Sequence, residues 1–259
     1  MTEGTATRET LAADMRRLGI QPGSVLLVHS SMKSLGPVDG GPEAVIGAFQ
    51  DVLTPEGTLV LPALSYDEIG PDQPRFDVLR TKSCVGLIPE TFRTMPGVRR
   101  SLHPTHSVAA WGRLRDVILE GHERCLSPGP IGSPWHRLVE HRAGILFLGC
   151  KMLVNTMLHC VEEWAPAPGN LTDDMQPLEV VDYDGRVLAT PQHRHAGRRW
   201  RYYSKMEPLF EKWGCLTRGR VAQAECRLID SRIMADRTLH LLREVDPNLF
   251  THDGLPADS

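Results

Sequence analysis

The apolar positions of this chain follow first one period and then another. Residues 8–18 carry them at helical spacing and stop at Gly19, which predicts a first helix. "SVLLVHS" (24–30) is a short, nearly continuous apolar run, as expected of a strand buried on both faces. "GGPEAVIGAFQDVL" returns to the helical period, with Pro42 tolerated near its start. "GTLVLPA" is a second apolar strand. Strand, helix and strand at this spacing form a βαβ unit, so the pattern predicts an α/β fold with a largely parallel sheet.

Residues 65–82, "SYDEIGPDQPRFDVLRTK", have no period and carry acids around two prolines, the mark of a long functional loop. "CVGLIPETFRTM" is helical. "PGVRRSLHPTHSVAAWG" is a basic turn entering a strand at about 106–111. "RLRDVILEGHE" is a helix, and "CLSPGPIGSPWHRLVEH" is a Pro/Gly-rich loop leading into another. "GILFLGC" is a strand, and "NTMLHCVEE" (155–163) is the helix after it. The strands near 29, 107 and 148 are each followed by polar loops, and open α/β sheets hold ligands at such carboxyl ends. Later, "LEVVDYDGRVLAT" alternates about Asp184-Gly185, a hairpin signal. The tract "QHRHAGRRWRYY" reads as a solvated edge. "KMEPLFEKWG" and "SRIMADRTLHLLREV" are helical. With no repeat and no low-complexity linker, the reading is one domain over 1–259, whose C-terminal hairpin portion finishes the same sheet.

Composition narrows the partners. Of 259 residues, 41% are hydrophobic and 24% charged, ordinary for a soluble globular protein. The net charge of −3, with no Lys/Arg stripe, argues against a nucleic-acid partner and leaves a cationic small molecule unrepelled. The polar N-terminal residues have no apolar core of a signal peptide, and no apolar run approaches a membrane span. Six dispersed cysteines without a C-x-x-C pair read as reduced thiols of a cytoplasmic protein.

Three stretches carry candidate chemistry. In "NTMLHCVEE", Thr156, His159 and Glu162 recur every third residue and share one side of a helix. A carboxylate that accepts the Nδ1–H of a histidine fixes its tautomer and raises its basicity, so His159 and Glu162 suit a general base and its orienter. The zinc-protease spacing needs a second histidine at 163, where Glu163 stands, so a metal site would need His29, His103 or His106 from elsewhere. On spacing alone, a half-buried histidine satisfied by a neighbouring acid is the commoner arrangement. "VHSSMKSLG" places His29, serines and Lys33 at a strand end, able to receive phosphates or to be a capped turn. "RRSLHPTHSVAAWG" brings Arg99, Arg100 and Ser107 to a strand start, either an anion site or a solvated basic turn. Cys84, Cys150 and Cys160 read as buried thiols rather than nucleophiles.

Three segments in order, 25–63, 76–112 and 127–163, resemble the aminoglycoside 3-N-acetyltransferase (antibiotic N-acetyltransferase) family, which is distinct from the GNAT superfamily. The resemblance spans about residues 8–245. It implies a three-layer α/β/α sandwich around a mixed sheet, acetyl-CoA as donor, and an amine of a cationic antibiotic as acceptor. It implies His159 as catalytic base, Glu162 as its acidic partner and Thr156 one turn earlier. It implies a coenzyme A groove lined by His29, Ser30, Ser31, Met32, Lys33, Ser34, Thr81 (paired with Ser83), Ser107 and Val108. The loop 65–77 is variable in the family, so acceptor choice is expected there, with Asp67, Glu68, Asp72 and Asp77, and Glu163 beside the base, holding a polycation. No metal, nucleic acid or membrane is expected, and a homodimer is allowed. Two alternatives stay open: an acetyltransferase of a non-aminoglycoside metabolite amine, and a metal-dependent hydrolase using His159 and Glu162.

Overall fold

The computed structural model describes residues 4–256, so the outermost residues of the expected 1–259 domain lie outside the described residues. In chain order the elements are α1 (Arg8–Arg17), β1 (Val25–Ser30), α2 (Gly41–Leu53), β2 (Thr58–Pro62), β3 (Arg75–Asp77), α3 (Leu87–Arg93), β4 (Arg99–Arg100), β5 (Val108–Gly112) and α4 (Arg115–Leu119). Then follow α5 (Pro134–Glu140), β6 (Gly144–Leu148), α6 (Thr156–Trp164), β7 (Glu179–Val181), β8 (Val187–Ala189), α7 (Glu207–Lys212), β9 (Leu216–Val221), β10 (Ala224–Asp230) and α8 (Ser231–His240).

The main sheet has seven strands in the order β4-β5-β2-β1-β6-β10-β9. It is mixed, as expected, but not largely parallel. Only β1 runs parallel to its neighbours β2 and β6, and the outer pairings are antiparallel. The βαβ unit fixes the centre, while short reversals build the edges. The Asp184-Gly185 hairpin forms as β7–β8, yet it joins β3 in a separate three-stranded sheet. The hairpin that finishes the main sheet is β9–β10, which turns at Ala222 with a left-handed φ of 47°.

The central strands are buried on both faces, and alternation sends successive side chains to opposite cores. Leu27, Val60, Ile145 and Phe147 pack with α5, α6 and α8. Leu26, Val28, Leu59, Leu146 and Leu148 pack with α1, α2 and α3. Among the described residues no helix is long and apolar enough to cross a membrane.

Register puts Ser30 beside Leu148, so β1 and β6 end together. Pro62 lies opposite Val108 on antiparallel β5. The strand near 107 therefore offers its start, not its end, to the same rim of the sheet.

Candidate active site

A cavity of about 640 Å³ opens at this rim. His29 and Ser30 reach it from β1, Pro62 and Leu64 from β2 and the turn after it, and Cys150 from the turn after β6. His106 lines it just before β5, and Thr156 and His159 line it from α6. Tyr66 and Trp200, both substantially exposed, and Arg194 also border it.

Helix α6 buries Met157, Leu158, Val161 and Trp164 in the core. That fixes its rotation and sends Thr156 and His159 to the cavity, with Glu162 fully buried behind them. Both oxygens of Glu162 are engaged: Oε1 accepts from Arg199 Nη1 at 2.8 Å, and Oε2 from the Tyr203 hydroxyl at 2.7 Å. His159 Nδ1 lies 3.7 Å from Glu162 Oε2, beyond hydrogen-bond reach, and has no hydrogen-bond partner among the described residues. The carboxylate thus stands beside the ring without closing the expected bond; such contacts often tighten only with substrate present. Burial, with His195 and Arg199 adding to it, keeps the His159 imidazole well below its ordinary pKa, so it is neutral with a lone pair to offer. Burial pushes the Glu162 carboxyl up to about 7, against the Tyr203 hydroxyl and the Arg199 guanidinium, which favour its charged form.

Glu163, expected to meet the acceptor, instead turns inward. Its Oε2 accepts from Ser127 Oγ at 2.6 Å, and its Oε1 accepts from the Gly129 N–H at 2.9 Å and from His195 Nε2 at 2.7 Å. A Cβ at Gly129 would fall 2.1 Å from Cys160 Sγ, so only glycine lets that loop approach α6 closely enough to reach Glu163. The His195 ring stacks on His159, with centroids 4.4 Å apart and planes at 15°, and meets His106 edge-on at 5.0 Å.

A sequence model described as aminoglycoside 3-N-acetyltransferase matches residues 27–243. The chain belongs to that family. It is 30% identical over 252 residues to the SPbeta prophage-derived aminoglycoside N(3')-acetyltransferase-like protein YokD of Bacillus subtilis (strain 168), covering 86% of this chain and 87% of the relative. It is 32% identical to aminoglycoside N(3)-acetyltransferase IV of Salmonella sp, covering 93% and 89%. Among solved structures, a mutant of aminoglycoside acetyltransferase AAC(3)-IVa in complex with a gentamicin superposes with a TM-score of 0.84 at 29% identity, over 97% of this chain and 93% of that one. A binary complex of AAC-IIIb with CoASH gives 0.80 at 26% identity, over 93% and 97%. Acetyl-CoA as co-substrate fits this family.

The aminoglycoside 3-N-acetyltransferase resemblance supplied a coenzyme A set that the structure divides. His29 and Ser30 line the cavity, and His29 Nε2 and Ser30 Oγ are buried without a hydrogen-bond partner among the described residues, free to meet a ligand. Ser31, Met32, Lys33 and Ser34 form the turn beyond, outside the cavity lining. Ser34 Oγ donates to the Gly149 carbonyl at 2.8 Å, tying that turn to the end of β6. Thr81, Ser107 and Val108 are buried in the wall behind the lining. The buried Arg100 takes up their polar groups, donating to Ser107 Oγ at 2.9 Å, to the Thr81 carbonyl at 2.5 Å and to the Ala63 carbonyl. Val108 is strand core, and its N–H donates to Ser101 Oγ. Ser83 Oγ is buried off the lining as well.

Asp67 and Glu68 follow the lining residue Tyr66 in the chain, but they are exposed and, like Asp72, outside the lining. Asp77 caps its own turn by accepting from the N–H groups of Leu79 and Arg80. The tract 192–203 is the largest correction: rather than a solvated edge, it supplies Arg194, His195 and Trp200 to the cavity, and Arg199 and Tyr203 to Glu162. Among the described residues no group of three or more His, Cys, Asp or Glu is arranged to hold a metal ion.

Burial holds His29, His103 and His195 down to about 3, and His106, His122 and His159 well below 6.5. Unfolding restores the ordinary value, so below about 6.5 the unfolded chain binds more protons than the folded one. This contribution to stability is complete above that pH and is lost as pH falls, by up to about 1.4 kcal/mol per pH unit for each ring. Glu162 and Glu163, with carboxyls raised to about 7, act in the opposite sense but are outnumbered by the six rings, so the urea midpoint should fall between about pH 6.5 and 5; a flat profile would contradict the burial.

Proposed function

We propose that this chain transfers the acetyl group of acetyl-CoA directly to an amine of an aminoglycoside-type antibiotic, with His159 as general base and Glu162 beside it. It acts as one antibiotic N-acetyltransferase-like domain over 1–259. The carrying observation is the neutral His159, set with Thr156 on the wall of a cavity at the ends of the parallel strands, with a buried carboxylate behind the ring. Membership of the family supports the reaction class. Unpaired thiols at all six cysteines agree with a reducing, cytoplasmic setting.

An ammonium has no lone pair to attack with, so the acceptor must lose a proton. That first proton passes to solvent, and as the freed amine forms the new C–N bond at the thioester carbonyl, His159 takes a second proton from its nitrogen. The C–S bond then breaks, and the imidazolium returns its proton to the departing sulfur. Negative charge builds on the carbonyl oxygen in between, and the Thr156 hydroxyl at the start of α6 and the turn at His29, both on the cavity wall, are the candidates to meet it. The orphaned His29 Nε2 and Ser30 Oγ, on a mostly apolar wall, suit the amide-bearing arm of coenzyme A.

Asp67 and Glu68 lie beside Tyr66, where a polycation would pass. Reversing both charges should raise the acceptor KM severalfold and leave the acetyl-CoA KM unchanged. Release of free thiol from acetyl-CoA across a panel of aminoglycosides and simple amines reads both constants. Thiol release with simple amines alone would move the acceptor out of the aminoglycoside class.

A further inference from the structure

We propose that His195 and Glu163 form a second histidine–carboxylate pair that positions the base, holding the His159 ring by its face and stabilising the imidazolium formed there. This rests on the reading of His159 as base.

Charge separates the two carboxylates near the ring. Glu162 is already matched by Arg199 at 2.8 Å, so that pair is neutral overall; Arg199 opposes a proton on His159, and His195 would oppose it only if charged, which its own burial prevents near neutral pH. Tyr203, edge-on to His159 at 4.9 Å, donates its hydroxyl to Glu162 and is neutral. Glu163, by contrast, is bonded to Ser127, the Gly129 N–H and a neutral His195, none of which carries a countercharge; burial pushes its carboxyl up to about 7, so above that pH it stands as an unmatched carboxylate. The other titratable groups facing Glu163 are His193, Glu162 and the Cys160 and Cys125 thiols, and His106 and His103 face His195 from its other neighbours. The carboxylate best able to offset a new positive charge on His159 therefore sits one ring away from it.

The geometry of that ring supports the role. The 2.7 Å bond is shorter than the 3.7 Å separation in the His159–Glu162 pair, and the Ser127 and Gly129 donors fix the carboxylate from behind. With its Nε2–H given to Glu163, His195 keeps a bare Nδ1, which is buried and has no partner among the described residues. It has no proton to pass on and acts through its face. A neutral ring parallel to His159 at 4.4 Å limits the base to one orientation and attracts it once protonated.

Glu163→Gln keeps the size and removes the charge, while His195→Phe keeps the ring face and cuts the link to Glu163. Each should lower turnover about three- to tenfold, with the acetyl-CoA KM unchanged. Each should also move the acid limb of kcat/KM to lower pH, because the base is weakened. ¹⁵N NMR titration of His159 should give a lower pKa in both variants. A lower thermal midpoint with an unmoved limb and an unmoved titration would mean a merely structural role and would overturn the proposal. Should His195→Phe fail to fold, Glu163→Gln alone decides the matter. The NMR reading needs no turnover. If His159→Ala keeps full activity, the assignment of the base fails, and the coupling between Glu163 and His159 is still decided.

Discussion

Replacing His159 by alanine should lower turnover by about 10²–10⁴-fold, the usual worth of a placed general base. The ring stands on the cavity wall and is neutral, and nothing in its place could take the acceptor's proton. The side chain is nearly buried, so the variant leaves space rather than an unpaired charge, and the fold should persist. Acetyl-CoA binding should survive, because His29 and Ser30 approach from β1 and not from α6. Steady-state kinetics with isothermal titration of coenzyme A separates the two effects. An unchanged turnover number would remove His159 from the chemistry.

The second large effect is on stability. Arg199→Met should destabilise the protein by about 3–5 kcal/mol when measured above about pH 8, where it strands a buried carboxylate, and by less at neutral pH, where the Glu162 carboxyl, already up at about 7, takes up a proton. Glu162 has no exposed surface, and the Tyr203 hydroxyl would be its one remaining hydrogen-bond partner among the described residues. The lost guanidinium also donates to the Pro168 carbonyl, so the loop before β7 should loosen with it. Adding Glu162→Gln to Arg199→Met removes the stranded charge and should recover part of the loss. Urea midpoints of the four proteins in that cycle measure the coupling. If Arg199→Met stays within about 1 kcal/mol of wild type, the ion pair is not what holds Glu162.

Much of the fold could be read from the apolar pattern, because burial on both faces leaves a continuous run that few other structures produce. β1, β2 and β6 sit where "VLLVHS", "TLVLP" and "GILFL" placed them. The edges escaped because their pattern is weak. β9, "LTRGRV", is half exposed, and its turn at Ala222 carries none of the Asn or Gly that signals a tight hairpin. β3 and β4 are only three and two residues long.

The site was legible in the same uneven way. His159, Glu162 and Thr156 lie within about two turns of helix, so their spacing put them together. Arg199, Tyr203 and His195 reach the same spot from more than thirty residues away, across the small second sheet. Composition suggested solvent for that tract, yet a cation can be buried when an acid waits for it, and Glu162 does. Glu163 was misplaced for a related reason. Adjacent helix positions face different directions, so its neighbour's proximity to the cavity carried no promise for it. Thr81 and Ser107 were drawn inward by Arg100, whose hydrogen bonds to neutral partners no local spacing could reveal.

Acetyl transfer to an aminoglycoside amine through His159 is tested most directly by incubating gentamicin with acetyl-CoA and the purified protein, then examining the product by mass spectrometry and NMR. The expected product carries one acetyl group on an amine nitrogen, forms with wild-type protein, and is nearly absent with His159→Ala. Equal product from both proteins, or none from a folded wild-type protein across the aminoglycoside panel, would contradict it.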